Sequence, residues 1–452
     1  MTQKTSSSNL VLAIAHILLG VLFLIGGISK IYSTLVLFFG ILFIIKTKNK
    51  HNEAIMWAAY MVGAEVLFRM TKGLFFYELP KYSVLLFLFT GLIVEKRKHP
   101  VPVSYILYTL LLLIGIAFLD IPFNESIRRA IAFNLSGPVL LGVSAIYFYK
   151  RKLSLDTLLK MLFMMVLPII SMLSLLFFKT RDISEIRFSS NANFATSGGY
   201  GPNQVATILG LGIFIFLIHL FFKKRIFSLF LVDVFFFVYL IYRGLITFSR
   251  GGMFTALLAI GAFVFYFSIA HKNKMENLLK YVLLTGVMLL TLGIYTSYKT
   301  EGMIINRYTN KNSVGIEKKD FSTGRIKIFV TEVDAFFENP FFGIGVGGSK
   351  FYRQEKLNRM AASHNEVSRL LSEHGMLGVL ILILLLGVSI THILNQPYLA
   401  RAFLSAFLIF WFLTINHSAM RIAFPGFIYG LSVVIITFNN SEEEFEVQKL
   451  ES

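Results

Sequence analysis

Three polar residues in an otherwise apolar sequence have the types and setting that group transfer needs. His364 stands in "AASHNEVSRLLSEHGMLG", Arg250 in "ITFSRGGMFTALLAI" and Arg325 in "DFSTGRIKIFV". A neutral imidazole near pH 7 can take a proton from a hydroxyl. A guanidinium grips a phosphate or diphosphate through two parallel N–H donors. Ser363 and Glu366 form an S-x-x-E spacing ahead of an apolar run, which predicts a capping box with His364 in the first helical turn. The positive end of that helix would disfavour imidazolium. Gly251 and Gly252 predict a tight turn at Arg250 in which backbone can approach a ligand. Each feature by itself also has a plain structural reading, as a helix cap, an interfacial histidine or an arginine snorkelling to the membrane surface. Two arginines, a histidine and the Gly-rich "FFGIGVGGSKF" on one side of a membrane make an anion site with a base nearby.

Several chemistries are excluded. There is no cysteine, so disulfides, thiolate ligands and thiol nucleophiles are absent. "GIGVGG" is followed by Ser349-Lys350 and not by Lys-Ser/Thr, so it is no Walker loop, and no βαβ unit surrounds it. His364 and His374 lack the H-E-x-x-H spacing of a zinc site. No metal and no cofactor are expected.

The elements that must position these residues are membrane helices. The 452 residues are 56% hydrophobic and 15% charged, with mean hydropathy +0.69; soluble chains carry about 25% charged residues. Apolar runs repeatedly approach the roughly 20 residues that a span needs. The fold expected is an all-α polytopic membrane protein with about 12–14 transmembrane helices, the last span covering 422–438. The first apolar run follows a single Lys4, with no small-residue cleavage site, and reads as a retained span. The net charge of +18 is assigned to basic loops, not to nucleic acid.

Clusters at 46–50, 95–98, 150–152, 223–225 and 271–274 fall in every second loop, and the positive-inside rule places them in the cytoplasm. The Asn203-Gln204 loop, the Arg250 turn and a long segment, 298–367, then face outward. The organisation expected is a transmembrane bundle over 1–297, an outer loop containing helices over 298–367, C-terminal transmembrane helices over 368–438 and an acidic cytoplasmic tail over 439–452. In the outer loop, Ile326, Phe329, Val333 and Phe336/Phe337 recur at helical spacing, with Ser322 as N-cap and Pro340 as stop. "FFGIGVGGSKF" reads as a flexible loop. Glu65 and Arg69, spaced i,i+4, and Asp233 and Arg243 read as structural groups of the bundle, with a transport path as the competing assignment.

The ordered motifs Ser249-Arg250-Gly251-Gly252, Gly324-Arg325, Pro340-Gly343-Gly345, His364-Asn365 and Glu373-Gly375-Gly378 resemble the O-antigen ligase/polymerase superfamily of bacterial envelope glycosyltransferases. The resemblance covers roughly residues 200–380. It implies a GT-C-like enzyme of the bacterial inner membrane with its active site facing the periplasm. Such an enzyme moves a glycan from an undecaprenyl-diphosphate carrier to a sugar hydroxyl on lipid A–core or on a growing polysaccharide, with inversion and without metal. Carried onto this chain, Arg250, Arg325 and His364 are the catalytic set: the arginines bind the diphosphate and His364 positions or deprotonates the acceptor. Asn203, Gln204, Gly345, Asn365 and Glu366 are expected to contact substrate. Glu366 departs from the family pattern, which has an apolar or aromatic residue after His-Asn. A ligase-type activity is the first reading, with a polymerase and an O-linked protein glycosylase in the same class. A transporter of polysaccharide or lipid-linked sugar is the non-enzymatic alternative; it would carry polar midplane residues and repeats.

Overall fold

The computed structural model describes residues 2–438, apart from 97–99, 120–125, 181–184, 272–274, 321, 323 and 359–361. The acidic tail and parts of the basic clusters at 95–98 and 271–274 lie outside the described residues. The first half of the chain forms α1 (Thr2–Leu22), α2 (Ile28–Thr47), α3 (Glu53–Met70), α4 (Leu79–Val94), α5 (Val103–Ile114), α6 (Ile127–Phe148), β1 (Lys152–Ser154), α7 (Leu155–Lys179) and α8 (Pro202–Phe221). There follow α9 (Phe230–Ile246), α10 (Arg250–Ala270), α11 (Met275–Lys299), α12 (Met303–Tyr308), α13 (Arg325–Glu338) and α14 (Gly348–Leu357). The chain closes with α15 (Glu366–His374), α16 (Met376–Leu394), α17 (Tyr398–Ser418), α18 (Phe424–Leu431) and β2 (Ile435–Thr437).

Among the described residues, seven helices are long and apolar enough to cross a membrane: α2, α6, α7, α8, α10, α16 and α17. The segments Ser8–Leu22, α4 and α5 are shorter apolar helices. The all-α polytopic architecture is as expected. The expected span 422–438 is not one helix. It is the eight-residue α18 followed by β2, which pairs in parallel with β1 in the register Lys152↔Ile435. That short ladder and the burial of α18 within the protein keep non-helical backbone away from lipid.

The centre of the bundle is α8, apolar on all sides and buried along almost its whole length. It runs 20 residues, about 30 Å. Its Pro202 end meets the start of α10 and the end of α17, and Lys223–Arg225 lie at the opposite end. The expected tight turn at Arg250 is corrected: Arg250 begins α10, and Phe248, at φ 57°, makes the turn. Gly251 and Gly252 admit protein, not ligand. A Cβ on Gly251 would meet the His417 ring at 2.6 Å, and one on Gly252 would meet Ala206 and the Thr207 nitrogen at 2.7 Å.

The charged groups of the bundle are tied down. Glu65 accepts from Arg69 at 2.6 Å and from the Ala423 backbone at 2.5 Å. Asp233 accepts from the nitrogens of Ile226 and Phe227 at 3.0 and 2.9 Å. Arg243 donates to Thr180 and to the Thr196 carbonyl at 2.7 and 2.8 Å.

In the segment 298–367 the expected helix exists as α13, but the apolar stripe is not its buried face. Ile328, Thr331, Glu332 and Ala335 are buried, while Ile326, Phe329, Val330 and Phe337 are exposed. The reason is Glu332, which forms a buried ion pair with Arg353 of α14 and accepts from Ser363 and Ser368. "FFGIGVGGSKF" is not a flexible loop either. The Ile344 nitrogen donates to the Ser372 carbonyl at 2.9 Å, Met376 to the Pro340 carbonyl at 2.7 Å, and Val346 to the Gly115 carbonyl at 3.2 Å. Gly343 (φ 70°) and Gly375 (φ 59°) sit where a Cβ would strike backbone of the opposing strand of this contact. The two glycine motifs are therefore halves of one interlock between the 340–348 segment and the α15–α16 junction.

Candidate functional site

Arg250 and Arg325 are each the first residue of a helix. Arg325 is launched by a turn that Asp320 organises. The Asp320 carboxylate accepts from the nitrogens of Ser322 and Gly324 at 2.8 and 2.6 Å. The Ser322 hydroxyl accepts from the Ile326 nitrogen at 3.2 Å, although the N-cap position itself is Gly324, at φ 85°.

The capping box at "SHNE" does not form. Asn365 is the N-cap of α15, accepting from the Ser368 nitrogen at 3.1 Å, and it donates to Asn416 at 2.9 Å. Ser363 instead accepts from the Asn365 nitrogen at 3.2 Å and donates to the Asn365 carbonyl at 2.8 Å. His364 thus precedes the helix and does not lie in its first turn. Its main-chain oxygen accepts from Ala419 at 3.1 Å. Its Nδ1 is buried without a hydrogen-bond partner among the described residues. Burial, followed by repulsion from Arg421, Arg325 and His417, pushes the imidazole down to about 3. Its own burial and then the neighbouring cations oppose its protonation, where the sequence pointed to a helix end.

Those neighbours form a cluster that sequence reasoning found only in part. Arg307 donates to the carbonyls of Phe248 and Ser190 at 3.0 and 3.3 Å. Burial and the charges of Arg250 and Arg325 lower it to about 10. Arg325 is lowered by burial and by Arg421 and Arg250. Arg421 donates to the Ser363 carbonyl at 2.9 Å. Lys318 donates to the Ser190 carbonyl at 2.9 Å and feels both Arg307 and Arg250. Among the described residues none of Arg307, Arg325 and Arg421 has a carboxylate within ion-pair distance. His417 packs on Gly251, contacts Thr207 at 3.3 Å and lies beside His364. Arg307, Lys318, His417 and Arg421 were missed. The signal for the last two was "NHSAMR" at the end of an apolar run, the same setting as "SRGG".

The expected substrate contacts divide. Asn203 lies at the site end of α8 and accepts from Ser249 at 2.8 Å, and Asn365 faces Asn416. Gln204 is buried and donates to Ser418 at 3.0 Å, joining α8 to α17. The Glu366 carboxylate is ion-paired with Arg369. Gly345, at φ 75°, lies against the Phe118 carbonyl, so its missing side chain admits backbone and not sugar. Among the described residues no group of three or more His, Asp or Glu side chains is placed to hold a metal ion.

Two cavities adjoin the cluster. One, of about 650 Å³, is an apolar groove between α9, α11 and α12, lined by Leu245, Leu289, Leu290, Ile294, Ile305 and Tyr308. Tyr308, at one edge of the groove, neighbours Arg307 in sequence and feels the charges of Arg307 and Arg250. The other, of about 320 Å³, lies behind Ser363 and Arg421 and reaches α6 and α14.

No curated protein and no solved structure matches this chain. Residues 235–383 match the family model described as O-antigen ligase. The matched stretch runs from α9 into α16 and holds Arg250, Arg307, Lys318, Arg325 and His364, so this part of the chain is similar to the O-antigen ligase/polymerase superfamily; His417 and Arg421 lie beyond it.

Proposed function

We propose that this membrane protein transfers a glycan from an undecaprenyl-diphosphate carrier to an acceptor sugar hydroxyl, as an O-antigen ligase. One observation carries the reading: Arg307, Arg325 and Arg421, none with a carboxylate within ion-pair distance among the described residues, gather near an apolar groove and a neutral, half-buried histidine. The groove takes the prenyl chain. The arginines take the diphosphate and neutralise the charge that develops as it leaves, the kind of preorganised stabilisation that needs no metal. His364 accepts the acceptor proton. The attacking oxygen forms its bond to the anomeric carbon from the side opposite the departing diphosphate, which inverts the centre.

The low basicity of His364 fits this order of events. Arg421 and Arg325 repel its protonated form, and a bound diphosphate offsets their charge, so the base gains strength when the donor arrives. The opposite end of α8 carries Lys223–Arg225, the basic character of cytoplasmic loops, which supports a site facing the periplasm. The exposed apolar face of α13 supports a helix lying at the membrane surface.

The test is deletion of the gene, with glycolipids resolved by gel and complementation by wild type or His364→Ala. Full-length chains retained on the carrier and lost from lipid A–core identify a ligase. Single repeat units identify a polymerase. An unchanged glycan profile overturns the proposal.

A further inference from the structure

We infer that the 320 Å³ cavity behind the His364 loop is an acceptor subsite for a negatively charged sugar, one bearing a phosphate or a carboxylate. This inference rests on the transferase reading and adds the chemical class of the acceptor. The cavity's position fits: Ser363 precedes His364, Ala419 bonds the His364 carbonyl, and both residues line it. Its size lies at the lower end of the range for small-ligand sites, about 300–1,000 Å³.

Its charge is the stronger argument. Arg129, Lys350, Arg353, Arg369 and Arg421 all line it, against Glu366 as the lining carboxylate among the described residues. Glu332, Glu366 and Glu373 are engaged in ion pairs with Arg353 and Arg369. Arg129 and Arg421 form no such pair among the described residues. Arg421, half-buried, reaches His364 on one side and this cavity on the other. Phe133 lines the cavity and lies 6.4 Å, ring to ring, from Tyr77, and both rings are about half exposed. Cations over an aromatic rim suit a charged sugar, which offers an apolar ring face and an anionic substituent.

The experiment uses the full chain in lipid nanodiscs and equilibrium dialysis with radiolabelled glucose 6-phosphate, glucuronate and glucose. Either anionic sugar should bind at least tenfold tighter than glucose; which of the two is preferred identifies the substituent. Arg129→Glu and Lys350→Glu should each weaken that binding about ten- to hundredfold. Binding of undecaprenyl diphosphate, measured in parallel, should be unchanged by both substitutions and lost in Arg325→Ala. The inference is overturned if glucose binds as well as the anions, or if both charge reversals leave anion binding intact. If the carrier diphosphate binds normally in that case, only the subsite falls; if it does not bind at all, the transferase reading falls with it.

Discussion

Two arginine-rich regions lie side by side on the same end of this protein and behave in opposite ways. In the first, Arg353 and Arg369 are buried against Glu332, Glu366 and Glu373, with Ser349, Ser363 and Ser368 completing the hydrogen bonds. In the second, Arg250, Arg307, Arg325 and Arg421 repel one another, and the partners named for Arg307 and Arg421 are carbonyl oxygens. The first region has its counter-charges built in and holds the α13–α14–α15 framework. The second gathers charge that an anion would relieve. An arginine's residue type says nothing of which region it belongs to; the carboxylates around it do.

The sharpest way to break the contrast is to remove a built-in counter-charge. Glu332→Gln strips Arg353 of its partner and should destabilise the protein by about 3–5 kcal/mol, the cost of stranding a buried charge. It is measured as a fall in thermal midpoint, and the Glu332→Gln/Arg353→Met double variant should recover part of the loss. Removal of an arginine from the open cluster should do the reverse. Arg325→Ala should keep its midpoint and lose transfer by about 10²- to 10³-fold, with Arg325→Lys retaining part. A normal rate in Arg325→Ala would remove the cluster from the reaction.

A smaller effect tests the link between the regions and His364. The profile of kcat/KM reports the free enzyme, in which the imidazole is lowered to about 3. It is therefore neutral from pH 8 to pH 5, and no acid limb should appear near pH 6.5. Burial leads the shift and remains in Arg421→Gln, but the leading opposing charge is removed, so the acid limb should move up from about 3. An unmoved profile would separate Arg421 from the base. The smallest effect is expected where charges are paired in water. Lys356 and Glu338 meet at 3.1 Å with both side chains about half exposed, and Lys356→Gln should change stability by less than about 1 kcal/mol.

Much of the plan was legible in the sequence because hydropathy is a local property. Runs of apolar residues must become helices that satisfy their own backbone in lipid, and α7, α8, α10, α16 and α17 follow from that. Where satisfaction comes from elsewhere, the reading failed: 422–438 became α18 and β2 because β1 supplies a ladder. The stripe on α13 was visible, but which side it buried depended on Glu332 meeting Arg353, residues 21 apart. Arg250 and His364 were legible by type and by their place near span ends, and Arg325 by type and its place at the head of the helix in 298–367. Arg421 and His417 share that setting, and only their position against His364 distinguishes them.

The sequence by itself determined a helical membrane protein with a few polar groups at the ends of its spans, since composition and periodicity leave no other way to satisfy the backbone in lipid. Only the tertiary structure decided which arginines carry counter-charges, which glycines admit backbone, and that His364 owes its neutrality to burial among cations. Those outcomes depend on distances between residues far apart in the chain, and spacing along the sequence does not encode them.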